Sequence, residues 1–138
     1  MKILIVEDDF LSRKLLNTFL SPYGEIDNAA NGREAVEAVS VALAENWHYD
    51  LIFLDIMMPV LDGQDTLKKI RLLERNSCLT KKQEAAVIMT TALSDRENVL
   101  KAAKANCNGY LIKPLTRQKI IDQLAILGLI AETGNKND

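Results

Sequence analysis

The sequence predicts an α/β protein, a doubly wound five-stranded parallel sheet with helices on both faces. Three observations carry this expectation. Short apolar runs alternate strictly with amphipathic stretches, five of each, which implies repeated strand–helix–strand units. Three of the runs, residues 3–6, 51–54 and 86–89, are apolar at every position, as strands covered on both faces are. The length is 138 residues, 48% hydrophobic and 26% charged, which suits one domain with a single core.

The elements follow in order. Residues 3–6 are the first strand. Phe10, Leu11, Leu15, Leu16, Phe19 and Leu20 then recur at helical spacing behind a capping Asp9, until Ser21-Pro22-Tyr23-Gly24 breaks the pattern. Residues 26–30 read as a half-polar strand, suited to a sheet edge. Asn31, with Glu34 three residues on, opens a second helix that carries Ala35, Val36, Val39, Val41, Ala42 and Leu43 to about Glu45. The third strand lies within 50–55. Residues 63–74 form a helix with Leu67, Ile70 and Leu73 on one face. The fourth strand starts at 86 and ends in Thr90-Thr91-Ala92. Ser94 with Glu97 opens a helix through Val99, Leu100 and Ala103. Residues 109–112 are the fifth strand, and Thr116 caps a last helix through Ile120, Ile121, Leu124 and Leu127. Residues 1–130 read as one domain and 131–138 as a polar tail expected to fray.

Composition narrows the function classes. A net charge of −2 argues against a surface built for nucleic acid or anionic lipid. No apolar run approaches the roughly 20 residues of a membrane span. Acids follow the short apolar start where a signal peptide would place its cleavage site. Cys78 and Cys107 form neither a CxxC pair nor a cluster, so no zinc site or disulfide framework is expected, and a cytoplasmic setting fits.

In an open parallel sheet the functional crevice lies beyond the carboxyl ends of the strands. Here those ends carry Glu7-Asp8-Asp9, Asp55, Thr90-Thr91 and Lys113-Pro114. Carboxylates gathered on a low-dielectric rim repel one another and call for a counter-charge. A hard divalent cation such as Mg²⁺, bound through carboxylates, water and a phosphate, is the natural one. One carboxylate can then act as nucleophile toward a phosphoryl group, with a lysine and a hydroxyl holding the remaining oxygens.

These residues resemble a known family. Asp55-Ile56-Met57-Met58-Pro59-Val60-Leu61-Asp62-Gly63 looks like the phosphoacceptor loop of response-regulator receiver domains. Ile3-Leu4-Ile5-Val6-Glu7-Asp8-Asp9, Thr91-Ala92 and Lys113-Pro114 match the other three signatures, over about residues 2–127. The resemblance implies a flavodoxin-like strand order of 2-1-3-4-5. It implies that Asp55 accepts a phosphoryl group from a sensor histidine kinase or a phosphotransfer protein in a two-component phosphorelay. Mg²⁺ would be held by Asp8 directly, by Glu7 mainly through water, by Asp55 and by the backbone carbonyl of Met57. Lys113 would pair with Asp55 and then with the phosphoryl group, behind a cis Lys113-Pro114 bond. Thr91 would swing to a phosphoryl oxygen, and Tyr110 would turn inward. The altered surface, made by the fourth helix, fifth strand and fifth helix, would engage a downstream target protein. Such a domain is a signalling phosphoacceptor rather than an enzyme, a monomer or a phosphorylation-dependent dimer, with no direct contact to nucleic acid or membrane.

Departures from the family pattern carry expectations too. Met57 and Leu93 are apolar where the family can use polar side chains to orient a hydrolytic water, which implies a long-lived phosphorylated state. Met57 also stands where a haloacid-dehalogenase-type phosphohydrolase needs a second Asp, which weighs against that enzyme class. Glu7-Asp8-Asp9 would repel phosphate where a flavodoxin-like cofactor binder needs a phosphate loop. Two segments look longer than in a minimal receiver: 39–49, which holds Trp47 and the single His48, and the polar connection 74–84.

Overall fold

A computed structural model of the chain describes residues 1–56, 60–92 and 107–131. The sheet is β1 (Lys2–Val6), β2 (Glu25–Ala29), β3 (Leu51–Asp55), β4 (Ala86–Ala92) and β5 (Gly109–Lys113), all parallel, in the order β2-β1-β3-β4-β5. The described helices are α1 (Phe10–Leu20), α2 (Gly32–Ala44), α3 (Gly63–Asn76) and α4 (Arg117–Ile126), with single 3-10 turns at Ser21–Tyr23 and Lys81–Gln83. The helix expected after Ser94, the tail from Glu132, and the residues Met57 and Leu93 lie outside the described residues.

Side chains alternate across the pleat and divide the core into two layers. Leu4, Val6, Ile52, Leu54, Val87 and Met89 meet Val39, Leu67 and Ile70 of α2 and α3. Ile3, Ile5, Leu51, Phe53 and Ile88 meet Leu16, Leu20, Ile120 and Leu124 of α1 and α4. The half-polar β2 is an edge strand. Strand order reverses between β1 and β3, so their carboxyl ends open onto a crevice.

The helix starts follow their side chains. Asp9 accepts from the Ser12 N–H at 2.8 Å, Asn31 from the Glu34 N–H at 2.9 Å, and Thr116 from the Lys119 N–H at 3.1 Å. Glu34 reaches back to the N–H of Ala30 rather than of the cap itself. Asp62 caps α3 by accepting from the Asp65 N–H at 2.9 Å.

α1 departs from its periodicity. Of its six apolar residues only Leu16 and Leu20 are buried, while Phe10, Leu11 and Leu15 are exposed. The apolar stripe is wider than the strip of sheet the helix covers.

Gly63 opens α3 where the helix start folds back against β3, donating its N–H to the Ile56 carbonyl at 3.0 Å. A Cβ there would lie 2.5 Å from the Asp55 carbonyl oxygen and 2.7 Å from Ile56 Cα, both backbone atoms. Gly63→Ala is therefore expected to destabilise by about 1–3 kcal/mol, the usual cost of forcing an atom into a packed site. Urea denaturation checks this, and an unchanged midpoint contradicts it.

Candidate functional site

The crevice is built from strand ends. β1 delivers Glu7 and Asp8, β3 delivers Asp55, and β5 delivers Lys113 across the sheet. Glu7, Asp8 and Asp55 each offer a carboxylate oxygen, all within 4.8 Å of one another. Glu7 and Asp55 are buried, and Asp8 is exposed. Lys113 Nζ lies 3.1 Å from Glu7 Oε1 and 3.3 Å from Asp55 Oδ2, bridging the two buried acids. The peptide bond after it, Lys113-Pro114, is cis.

Backbone contacts fix the cluster from below. The Glu7 N–H donates to the Ala29 carbonyl at 3.1 Å, and Arg13 donates to the Glu7 carbonyl at 2.9 Å. The Asp9 N–H donates to Glu7 Oε2 at 3.1 Å. Asp55 pairs in register with Thr90, and Thr91, beside it, is buried at the end of β4 opposite Ile112. Tyr110, three residues before Lys113, is 42% exposed. The crevice therefore gathers Glu7, Asp8, Asp55 and Lys113, with Thr91 on the same strand ends. Tyr110 stands on the surface. The structural roles of Asp9 and Asp62 as helix caps beside the crevice rest on their hydrogen bonds.

The electrostatics follow from burial. Desolvation, reinforced by the Asp55 charge, pushes Glu7 up to about 7, against the opposing pull of the Asp9 N–H and Lys113. Burial alone would depress Lys113, but the Asp55 and Glu7 charges outweigh it and raise its pKa. Among the described residues, one ammonium, Lys113, bridges two of the three clustered carboxylates. The donor set is all oxygen, compact and under-compensated, which fits a small hard cation.

A stability consequence has a definite sign. Glu7 titrates near 7 in the fold and near 4.5 unfolded. Its contribution is full below about pH 4.5 and is lost as pH rises through 7, on the order of 3 kcal/mol. Metal-free protein is expected to be more stable at pH 5 than at pH 8, and Glu7→Gln to flatten that difference. Denaturant titrations in chelator at the two pH values check both statements. Equal slopes with pH in the two proteins would contradict the assignment.

A parallel 2-1-3-4-5 sheet with an acid cluster and a lysine at its carboxyl edge defines a flavodoxin-like domain with an acidic crevice. The response regulator receiver domain model matches residues 3–125, and the chain belongs to that family, a receiver domain of two-component signalling. It is 32% identical over 125 residues to the chemotaxis protein CheY of Halobacterium salinarum, covering 90% of this chain and 93% of that protein. It spans only 6–9% of the large hybrid or osmosensing histidine kinases it also matches. Its fold is similar to CheY in the CheX–CheY–BeF3–Mg complex of Borrelia burgdorferi. There the TM-score is 0.78 and the identity 28%, with 93% of this chain and 89% of that one covered. It is also similar to the co-crystal structure of Saccharomyces cerevisiae Ypd1 with the receiver domain of Ssk1. That match has a TM-score of 0.77 and 26% identity, over 96% and 93% of the two chains.

Proposed function

We propose that Asp55 is the phosphoacceptor of this receiver, taking a phosphoryl group from a phosphohistidine of a sensor kinase or phosphotransfer protein. An Asp55 carboxylate oxygen attacks phosphorus, the P–N bond breaks, and its electron pair returns to the donor imidazole, leaving an acyl phosphate on Asp55. The observation that carries this reading is the buried Asp55 carboxylate held between a second buried acid and Lys113 Nζ at 3.3 Å.

Phosphoryl transfer asks mainly for positioning and charge neutralisation. Lys113 holds Asp55 in the resting state and is placed to follow the phosphoryl oxygens. Thr91 supplies a hydroxyl from the adjacent strand end. Glu7, Asp8 and Asp55 would hold Mg²⁺, together with the Met57 carbonyl that the resemblance implies, and the cation would offset charge building on the transferred group. The presence of Mg²⁺ and BeF3 in the related Borrelia complex supports this choice of cation. Tyr110, now outward, is the residue expected to turn in once Thr91 engages the phosphoryl group, altering the surface a target protein reads.

The donor also needs a surface beside the crevice. A groove of about 400 Å³ runs from Lys113 and Pro114 past Leu115 to Leu15, Leu16 and Phe19, walled almost wholly by apolar groups. It ends at Lys113, whose Nζ lies 3.3 Å from Asp55, and is fit to receive an apolar helix face of the donor. Leu15→Arg is expected to slow transfer from a phosphotransfer protein by about tenfold or more, since one desolvated apolar contact is worth that much. Labelling by acetyl phosphate should be unchanged.

The decisive experiment is intact-mass spectrometry after incubation with acetyl phosphate and Mg²⁺. One alkali-labile phosphoryl group per chain, dependent on the cation, is the expected result. No mass change, or labelling indifferent to chelator, defeats the proposal.

A further inference from the structure

The two segments that looked long in the sequence meet at the other end of the molecule. Residues 39–49 lead into the start of β3, and 74–84 lead into the start of β4, so both lie at the amino ends of the strands. The crevice sits at the carboxyl ends, one strand length away, roughly 15 Å for five residues. Between the two segments lies a cleft of about 180 Å³ lined by Leu43, Asn46, Trp47, His48, Ser77, Leu79 and Gln83.

Its shape is fixed by two left-handed turns. Asn46, φ 67°, ends α2, and Cys78, φ 62°, ends α3. Each turn is tied by backbone hydrogen bonds, the Asn46 N–H to Leu43 and the Cys78 N–H to Arg75. Trp47 stands with its ring edge-on to Tyr49 at 4.9 Å, and Lys2 Nζ lies 5.0 Å from its ring. The volume equals about six waters and falls short of the 300 Å³ at which small-molecule sites begin, so it suits a single side chain.

The rim is basic. The two segments that wall the cleft, 39–49 and 74–84, carry three bases and three acids, and two of those acids, Glu74 and Glu84, are held by Arg71. Arg75, Lys81 and Lys82 are all exposed there. Glu74 pairs with buried Arg71 and Glu84 Oε1 lies 4.0 Å from it, which leaves Glu45, exposed and accepting from Trp47 Nε1 at 3.3 Å, as the one acid of these segments without a cation partner among the described residues.

We propose that this cleft is a second interaction surface, one that takes an acidic peptide segment of a partner protein through a single aromatic or aliphatic anchor. The anchor enters beside Trp47, and flanking carboxylates meet Lys81, Lys82 and Arg75. An anchor pocket ringed by like charges discriminates by apolar fit and by sign together. A uniform polyanion such as nucleic acid satisfies only the second. The surface is independent of the phosphoacceptor reading, since none of its residues touches the crevice.

Trp47 is the only tryptophan in the chain, so its emission reports this cleft alone. The probes are the capped peptide EEEFEEE, its Phe→Ala counterpart, the peptide KKKFKKK, and an oligothymidylate. A saturable change in Trp47 emission is expected with EEEFEEE. It should weaken about tenfold without the Phe anchor and be absent with KKKFKKK. Lys81→Glu/Lys82→Glu should weaken it about tenfold as well, while acetyl phosphate labelling stays as in the parent. Failure to respond, equal binding of the Ala peptide or of the oligothymidylate, or indifference to the charge reversal overturns the proposal. Loss of Asp55 labelling in the parent bears only on the phosphoacceptor reading.

Discussion

Asp55→Asn is expected to accept no phosphoryl group while keeping the fold. The amide nearly matches the carboxylate in shape, so the buried position stays filled, but its oxygen is neutral and no longer a competent nucleophile. Neither neighbour can take over cheaply. Glu7 is buried, titrates near 7 and is held by Lys113 and the Asp9 N–H, and Asp8 is exposed to water. The substitution also removes one of the three clustered carboxylates. Glu7 then loses the Asp55 contribution to its elevated pKa, and the metal-free variant should be more stable than the parent at pH 8. Two readouts therefore move in opposite directions: labelling by acetyl phosphate disappears, and the metal-free melting temperature rises. Stoichiometric labelling of the variant would remove Asp55 from its proposed role. A drop in stability would mean that the acids are compensated in a way the distances do not indicate.

Much of this was legible in the sequence, for a physical reason. Glu7, Asp55 and Lys113 each stand at the carboxyl end of an apolar run, and parallel topology brings such ends together whatever the loops do. The caps Asp9, Asn31 and Thr116 were legible because capping is a local bond within three residues. The edge position of β2 followed from its half-polar run, whereas the order 2-1-3-4-5 came only with the family resemblance. What periodicity could not give was coverage. It placed Phe10, Leu11 and Leu15 on the apolar stripe of α1, but how much of the stripe meets the sheet depends on where the helix lies. The result is exposed apolar surface on α1 instead of extra core, with Leu15 in the wall of the groove that reaches Lys113. Nor could it give the meeting of 39–49 with 74–84, which are far apart in sequence. The elevated pKa of Glu7 depends on burial, which only the packed structure supplies.

The least legible feature is also the one whose loss should cost the fold most. Arg71 and Glu74 are charged residues of α3 that no sequence motif singles out, yet both are buried. Arg71 Nη1 lies 2.7 Å from Glu74 Oε1 and donates to the Ala85 carbonyl at 2.9 Å, while Nη2 donates to Asn108 Oδ1 at 3.0 Å. Glu74 Oε2 accepts from the Ala85 N–H, and Asn108 Oδ1 also accepts from the Val87 N–H, both at 2.8 Å. One guanidinium thus ties α3 to the start of β4 and to the residue that leads into β5. Arg71→Met fills similar space but leaves Glu74 buried without its cation, and should destabilise by about 3–5 kcal/mol. That corresponds to a fall in melting temperature on the order of 10–20 °C for a domain of this size. Most of that loss comes from stranding the partner charge, not from the pair's own worth. Arg71→Met/Glu74→Leu should therefore recover a large part of it, and Glu74→Leu alone should leave Arg71 with its bonds to Ala85 and Asn108 and cost less than Arg71→Met. Denaturant titration of the three variants separates these cases. A single Arg71→Met loss below about 1 kcal/mol would place the pair with ordinary surface bridges, and the tie between α3 and the β4–β5 edge would then have to rest on apolar packing alone.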